Sequence, residues 1–279
     1  MNDETLCTRT SLGTDLRALG VQPGMTVIMH ASLRSLGWVC GGAVAVVQAL
    51  LDVLGPTGTL VVPTQTGENS EPSAWQHPPV PAAWWPQIRA EMPAFDPLLT
   101  PSTGMGALPE MVRTWPGAVR SQHPHVSFAA IGHDAAALLA THQLEDGLGE
   151  GSPLRAIYDA AGWVLLLGVG YDVNTSLHLA QCRVPDLYPR ETMGAALLNT
   201  AGERVWQIYH DIDGDTDDFA AIGAAFEQAH ADIAHIGPIG AATARLLPQR
   251  DLIDFATDWL RTAFAARSGN GTPQTHPAS

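Results

Sequence analysis

The stretch Trp163-Val-Leu-Leu-Leu-Gly-Val-Gly-Tyr-Asp-Val-Asn-Thr-Ser-Leu-His-Leu-Ala-Gln-Cys182 predicts a strand, a glycine turn and a helix in succession. The run 164–167 is too short for a free-standing helix and too apolar for a half-exposed strand, so we expect a parallel strand covered on both faces. Asn174 is a candidate N-cap, which places His178 near the helix start. The helix dipole there disfavours protonation and leaves a neutral, base-competent imidazole. A core histidine hydrogen-bonded to backbone is the alternative.

A second strand–loop–helix pattern lies earlier in the chain. We expect a strand at 25–30, a polar loop at 31–37, a helix at 43–54 that ends at Gly55-Pro56, and a strand at 59–63. This order is typical of a βαβ unit with a right-handed parallel crossover, and it indicates an α/β fold.

The remaining segments fill out one domain, which we place at 1–267. Residues 64–103 are rich in proline and tryptophan and lack periodicity, which indicates a long loop of the kind that forms lids or binding walls. Residues 268–279, rich in small and polar residues, predict a disordered tail. Other expected elements are helices at 10–19, 106–115, 133–141, 153–161, 218–233 and 251–266, and strands at 127–131 and 203–209.

The charge balance restricts the partners. The net charge is −14, and all 14 basic residues are arginine. Such a surface disfavours nucleic acid as a partner and attracts a cationic ligand, although acidity for solubility alone is the alternative. No run approaches the roughly 18 apolar residues of a membrane span, and the N-terminus lacks signal-peptide features, so we expect no membrane association and a cytoplasmic location. Cys7, Cys40 and Cys182 suggest neither disulfides nor a zinc site.

Several catalytic motifs are absent. The chain has no Gly-x-x-x-x-Gly-Lys-Ser/Thr sequence, and Gly168-Val-Gly170 lacks the third glycine of a dinucleotide fingerprint, which argues against nucleotide hydrolysis and NAD chemistry. No Gly-x-Ser-x-Gly elbow occurs. His123, His125 and His133 lack the spacing of a zinc site, and we predict no metal.

Three local patterns remain as candidates. The loop after His30, with Ser32, Arg34, Ser35 and its backbone N–H groups, could hold a phosphate, although Arg34 could equally be a solvated surface residue. Cys182 lies four residues after His178, which permits a thiol–imidazole pair, although a small core cysteine is the alternative. Asp211 and Asp213 follow a predicted strand on the same side, where one of them could orient a histidine or hold a cation.

Taken together, several motifs resemble the aminoglycoside 3-N-acetyltransferase family, antibiotic N-acetyltransferases that use acetyl-coenzyme A. The matching segments, in family order over nearly the whole chain, are His30-Ala-Ser-Leu-Arg-Ser-Leu-Gly37 with Gly41-Gly42, Phe95-Asp-Pro97 with Thr100-Pro-Ser-Thr-Gly-Met105, Arg120-Ser-Gln-His-Pro124, Gly149-Glu-Gly-Ser-Pro153, Leu165-Leu-Leu-Gly168 through Asn174-Thr-Ser-Leu-His178, and Tyr209-His-Asp-Ile-Asp213. The resemblance implies a three-layer αβα sandwich that is distinct from the fold of the larger acetyltransferase superfamily. It also implies acetylation of the 3-amino group of aminoglycosides, which confers antibiotic resistance.

The resemblance also implies residue roles. His178 corresponds to the general base that takes a proton from the attacking amine, and Asp211 to its orienting carboxylate, where many members carry glutamate; whether Asp211 or Asp213 orients the histidine stays open. The implied coenzyme contacts are His30, Ser32, Leu33, Arg34, Ser35, Ser102, Met105, Arg120 and Ser121. Candidates for binding the cationic sugars are Glu68, Glu150, Asp172, Asn174 and Asp213, because carboxylates and amides suit ammonium and hydroxyl groups.

Two alternatives stay open at this point. The acceptor could be a different amine, because fold and base do not determine the acceptor. The chain could also be a coenzyme A or polyamine binding module without turnover. The sequence leaves the oligomeric state open between a monomer and a homodimer.

Overall fold

The computed structural model describes residues 6–76 and 78–269, in which strands and helices alternate along most of the chain. The strands are β1 (Leu6–Cys7), β2 (Thr26–Ala31), β3 (Trp38–Val39), β4 (Thr59–Pro63), β5 (Val119–Arg120), β6 (Phe128–Gly132), β7 (Trp163–Leu167), β8 (Arg190–Leu198), β9 (Arg204–Ile212), β10 (His235–Ile239) and β11 (Ala242–Pro248). The helices are α1 (Arg9–Leu19), α2 (Gly42–Leu54), α3 (Trp85–Glu91), α4 (Ala107–Arg113), α5 (Ala135–Leu138), α6 (Pro153–Asp159), α7 (Leu177–Cys182), α8 (Phe219–Ala229) and α9 (Gln249–Gly269).

The central sheet has the strand order β10-β11-β7-β2-β4-β6-β5. Strand β2 pairs in parallel with both β4 and β7, so the predicted parallel βαβ unit is confirmed. The outer pairs are antiparallel, including the pair of β11 with β7, and the sheet is therefore mixed. The sequence did not predict β10 and β11, which join in a tight turn at Gly240 with a positive φ of 56°.

Apolar side chains alternate between the two faces of this sheet and are buried on both. Val27 and Met29 of β2 join one cluster with α1 and α2, whereas Ile28 points to a second cluster that includes residues of α8 and α9. The two-residue period of a strand explains this division. The prediction that 164–167 is covered on both faces is confirmed by β7, where Val164 belongs to the second cluster and Leu165 to the first.

A separate antiparallel hairpin, β8–β9, stands beside the sheet and was predicted only in its second strand. The segment 64–103, which the sequence predicts as a long loop, packs against the hairpin and contains the helix α3. The N–H of Phe95 donates to the Ala196 carbonyl at 2.8 Å, and Arg204 Nε donates to the Met92 carbonyl at 3.0 Å. The hairpin and this segment therefore form one wall of the site described below.

The ends of the other predicted elements differ by a few residues. Of the helix expected at 133–141, only the short α5 forms. Helix α9 extends through Gly269, two residues into the predicted tail, and 270–279 lie outside the described residues. Within the described ranges, no helix is both long and apolar enough to cross a membrane.

Candidate active site

Two cavities meet at His178. The first, here called the strand-end cavity, has a volume of about 880 Å³ and lies where the parallel strands β2, β4 and β7 end. Its walls include residues from the loop after β2, from 104–107, and from the turn after β7. The carboxyl ends of parallel strands are the usual place for a ligand in such sheets.

The second, here called the hairpin cavity, has a volume of about 500 Å³ and is walled by residues of β8–β9, by part of the segment 64–103 and by His123 and His125. Four carboxylate side chains line it: Glu71, Glu191, Asp211 and Asp213. Among the described residues, no arginine lines this cavity, whereas Arg34 lines the strand-end cavity. The three residues common to both linings are Gln65, His178 and Thr216.

His178 is the second residue of α7, as the sequence placed it near a helix start. The predicted N-cap is wrong by two residues, because Ser176 occupies that position and the Asn174 side chain instead accepts a hydrogen bond from the Ser176 N–H at 3.2 Å. The imidazole Nδ1 lies 2.7 Å from Gln181 Oε1, and the ring packs edge-on against Phe219 with centroids 5.0 Å apart. These two contacts hold the ring in place at the junction of the cavities.

Burial lowers the pKa of His178, and Gln181, Asp213 and Asp215 raise it only in part. The pKa of the neighbouring His30 falls to about 3, mainly because the ring is buried and also because His178 lies nearby. Both rings are therefore neutral near pH 7, in the state that a general base requires. Burial is the largest cause of the lowered pKa of His178.

The structure separates the predicted coenzyme contacts into two groups. His30, Ser32, Leu33, Arg34 and Met105 line the strand-end cavity. The remaining four lie outside both linings, and each is held by other contacts: Ser35, Ser102, Arg120 and Ser121.

These four residues make contacts of their own within the protein. Ser35 Oγ donates to the Ser32 carbonyl at 2.7 Å, and Ser102 Oγ donates to Glu110 at 2.7 Å. The buried Arg120 guanidinium donates to Thr64 and Ser127, and Ser121 Oγ accepts the Phe128 N–H at 2.9 Å. Their polar groups stabilise loops and the sheet edge behind the cavities.

The predicted sugar-binding residues divide in the same way. Asp213 lines the hairpin cavity, whereas Asp172 lines the strand-end cavity. Glu68, Glu150 and Asn174 line neither of them.

Local contacts explain why two of these three residues lie outside the cavities. Glu150 forms ion pairs with Arg155 and Arg183, the latter at 2.6 Å, and Asn174 is buried beneath α7. Glu68 is exposed and outside both cavities. Acidity alone does not distinguish carboxylates that line a cavity from carboxylates that pair with a neighbouring arginine.

Asp211 makes no direct hydrogen bond to His178, so its orienting role stays a prediction. The Asp211 carboxylate accepts hydrogen bonds from the N–H groups of Gly147 and Ile212, both at 2.8 Å, and Gln181 is the partner of His178. Burial raises the pKa of the Asp211 carboxyl, and the two N–H donors offset this in part. Asp211 and His178 nevertheless line the same cavity.

A cluster of buried histidines lies at the hairpin cavity, with His123 and His125 in its lining and His142 beside them. His125 Nε2 donates to the Asn69 carbonyl at 2.8 Å, and its Nδ1 lies 2.6 Å from the Tyr209 hydroxyl. His142 bridges Ser121 and the Gly147 carbonyl, both at 2.8 Å. Burial lowers the pKa of His142 to about 4. Across the described ranges, no group of three or more His, Cys, Asp or Glu side chains is arranged to hold a metal ion.

The sequence did not predict four lining residues, Gln65, Glu71, Glu191 and Thr216, nor Gln181, which lines neither cavity but contacts His178. Gln181 carried a usable signal, because it lies three residues after His178 and thus on the same helix face. The others come from segments distant in sequence and carry no local pattern.

A profile of the family described as Aminoglycoside 3-N-acetyltransferase matches residues 28–261. The chain belongs to this family. It is 44% identical over 253 residues to the SPbeta prophage-derived aminoglycoside N(3')-acetyltransferase-like protein YokD of Bacillus subtilis, with 90% of this chain and 92% of that protein covered. It is 38% identical to the aminoglycoside N(3)-acetyltransferase VII of Streptomyces paromomycinus, with 95% of each chain covered.

Solved structures of this aminoglycoside 3-N-acetyltransferase family have the same fold. The crystal structure of YokD superposes with a TM-score of 0.90 at 43% identity and covers 93% of this chain and 95% of its own. The binary complex of AAC-IIIb with CoASH gives a TM-score of 0.83 at 31% identity and covers 97% of this chain and 100% of its own. AAC-VIa bound to sisomicin gives a TM-score of 0.80 at 35% identity and covers 93% of this chain and 99% of its own.

Proposed function

We propose that this protein transfers the acetyl group of acetyl-coenzyme A to the 3-amino group of an aminoglycoside and thereby confers resistance. The observation that carries the proposal is that His178 lines both cavities at once. A base at the junction of two binding sites can take a proton from a group bound in one while that group attacks a ligand bound in the other. The family assignment adds the reaction class.

The strand-end cavity suits the coenzyme. Arg34 lies on its wall, forms no ion pair among the described residues and offers a cation to the phosphate groups. Leu33, Met105 and Val173 provide apolar surface for the pantetheine chain. When bound, acetyl-coenzyme A supplies an acetyl group activated as a thioester. A solved relative holds CoASH, which supports a coenzyme site in this fold.

The hairpin cavity suits the polycationic acceptor. Its carboxylates can pair with ammonium groups, and the absence of arginine from its described lining removes repulsion. Glu71 is already paired with Arg89 at 2.5 Å, so Glu191, Asp211 and Asp213 are the better candidates. A relative in this family binds sisomicin, which supports an aminoglycoside as the ligand.

His178 acts as the general base. An ammonium group has no lone pair to attack a carbonyl, so one proton must leave before the nitrogen–carbon bond forms. The lowered pKa of His178 keeps its imidazole unprotonated and able to accept that proton. Cys182 lies on the same helix, but burial raises the pKa of its thiol to about 12, which supports direct attack by the amine rather than an acetyl-cysteine intermediate.

We also assign the architecture to the three-layer αβα sandwich of the antibiotic N-acetyltransferases, separate from the larger acetyltransferase superfamily. The two apolar clusters on opposite faces of the central sheet support this assignment.

The decisive test is thiol release from acetyl-coenzyme A with a panel of aminoglycosides, spermidine and simple amines. We expect release with aminoglycosides and an acetyl group on the 3-nitrogen, located by two-dimensional NMR of the product. Acetylation at another nitrogen, or a preference for spermidine, would replace the acceptor but keep the reaction class. Coenzyme binding without thiol release from any amine would instead favour the binding module.

A further inference from the structure

We propose that Gln181 is a positioning residue that selects the tautomer of His178 whose lone pair is on Nε2. The assignment of the tautomer is independent of the proposed function, and only the catalytic use of that tautomer rests on it. Gln181 is 1% exposed, and its amide lies between the His178 ring and the backbone of the 213–216 turn.

Backbone chemistry determines which way the Gln181 amide faces. Its Nε2 lies 2.8 Å from the Asp215 carbonyl oxygen, a group that only accepts hydrogen bonds. The amide nitrogen must therefore occupy that side, and a second contact to the Tyr188 hydroxyl at 3.3 Å is compatible with it. The reversed amide would place two carbonyl oxygens against each other. Oε1 consequently faces His178.

The orientation of the amide in turn determines the proton on the imidazole. Gln181 Oε1 has lone pairs and no hydrogen, and it lies 2.7 Å from His178 Nδ1. A short contact between them requires the hydrogen to sit on Nδ1, which leaves the lone pair on Nε2. Among the described residues, Nε2 has no hydrogen-bond partner. The base is thus oriented by a neutral amide, whereas the sequence predicted a carboxylate.

Gly214 provides an independent observation. A Cβ at this position would lie 2.4 Å from Gln181 Oε1 and 3.5 Å from His178 Nδ1. The atom that would have to move is the end of a flexible side chain, so Gly214→Ala displaces the Gln181 amide and leaves both residues present. Glycine at 214 therefore leaves the space in which the amide meets the imidazole.

Because Gln181 is a neutral partner of His178, it also affects the pH dependence of kcat on the acid side. The charged or titratable groups near His178 are His30 on β2 and Asp213 and Asp215 on the turn after β9. Replacing Gln181 by glutamate retains an acceptor oxygen and adds a charge at the Nδ1 side. We expect Gln181→Glu to keep the tautomer, to raise the pKa of His178 and to move the acid limb of kcat to higher pH.

The test reads the tautomer directly. Nitrogen-15 spectra of the full-length protein labelled at histidine, with His178 identified by its loss in His178→Ala, distinguish protonation at Nδ1 from protonation at Nε2 without any substrate. We expect the Nδ1–H form in the wild type and in Gln181→Glu, and a mixture in Gln181→Met and Gly214→Ala. We expect kcat to fall by about tenfold in both mixed variants, the size of one lost hydrogen bond.

Gln249→Met is the matched control. Gln249 is also buried, and its side chain bonds to Leu154 and Ser176 instead of the imidazole. We expect a loss of thermal stability similar to that of Gln181→Met, with the His178 tautomer unchanged. An unaltered Nδ1–H form in Gln181→Met would overturn the proposal. A mixed tautomer with an unaltered kcat would keep the tautomer role of Gln181 and would count against His178 as the base.

Discussion

The strand-end cavity and the hairpin cavity share His178 but differ in how the chain builds them. The strand-end cavity arises from the ends of adjacent parallel strands and the loops that follow them directly. The hairpin cavity collects side chains from segments that lie more than a hundred residues apart, such as Glu71 and Glu191. Their charges differ as well, because the strand-end cavity contains Arg34 and one carboxylate, Asp172, whereas the hairpin cavity contains four carboxylates and no arginine among its described residues. This difference underlies our proposal that one buried base serves an anionic and a cationic ligand.

Removing the shared residue is the strongest test of this arrangement. We expect His178→Ala to lower kcat by about 10² to 10⁴-fold, the usual contribution of a positioned base, while coenzyme binding persists. The measurement is steady-state kinetics with calorimetric titration of coenzyme A.

A matched melting temperature is the control for the fold. Turnover within a few-fold of the wild type, at an unchanged melting temperature, would mean that the two cavities do not meet at a base.

The second expected effect is specific to the hairpin cavity. Asp213→Asn should raise the KM for an aminoglycoside by about tenfold, because it removes one charged partner of an ammonium group. The KM for acetyl-coenzyme A should stay constant. Asp258→Asn, at an exposed aspartate on α9, is the control for a change in net charge. Equal changes in both KM values would contradict the division of ligands between the cavities.

The third expected effect is specific to the strand-end cavity and to the coenzyme. Arg34→Gln should raise the KM for acetyl-coenzyme A by about five-fold, because a partly exposed guanidinium–phosphate pair is screened by water, and it should leave the aminoglycoside KM unchanged. Arg261→Gln, at an exposed arginine on α9, is the control. If Arg34→Gln instead raised the aminoglycoside KM, the two ligands would have been assigned to the wrong cavities.

The two cavities also differ in how far the sequence predicts them. The loop 31–37 and the helix that carries His178 directly follow apolar strands, so local periodicity was sufficient to place both. Most predicted residues of the strand-end cavity, such as Ser32 and Met105, are found in its lining. These residues lie close in sequence to the ends of strands, and the sequence pattern predicts where those strands end.

The hairpin cavity was poorly predicted because its geometry depends on long-range packing. Strand β8 has an exposed face and little apolar alternation, and the segment 64–103 owes its conformation to contacts with that hairpin. The hydrogen bond from the Gly147 N–H to the Asp211 carboxylate was likewise not predictable, because only the folded chain brings these two residues together. Sequence shows that a carboxylate is present but not which donor it meets.

Ionic strength should distinguish the cavities without any mutation. We expect the KM for an aminoglycoside to rise by about two- to threefold between low salt and about 0.15 M, where the Debye length is about 8 Å. The KM for the anionic coenzyme should rise less or fall, because the net charge of −14 repels it at low salt. Initial rates across a potassium chloride series measure both constants. Parallel rises would indicate that the carboxylates of the hairpin cavity do not steer the acceptor.

The smallest expected effect concerns the thiol beside the base. Cys182 lines neither cavity, and burial raises the pKa of its thiol to about 12, so almost none of it is thiolate at neutral pH. Because the thiolate is the nucleophilic form, acetyl transfer through Cys182 would be slow, and Cys182→Ala should leave kcat within about two-fold of the wild type. Mass spectrometry of the protein quenched during turnover supplies the second measurement. An acetyl group on Cys182, together with a large loss of kcat in Cys182→Ala, would replace direct attack across the two cavities by a covalent route through α7.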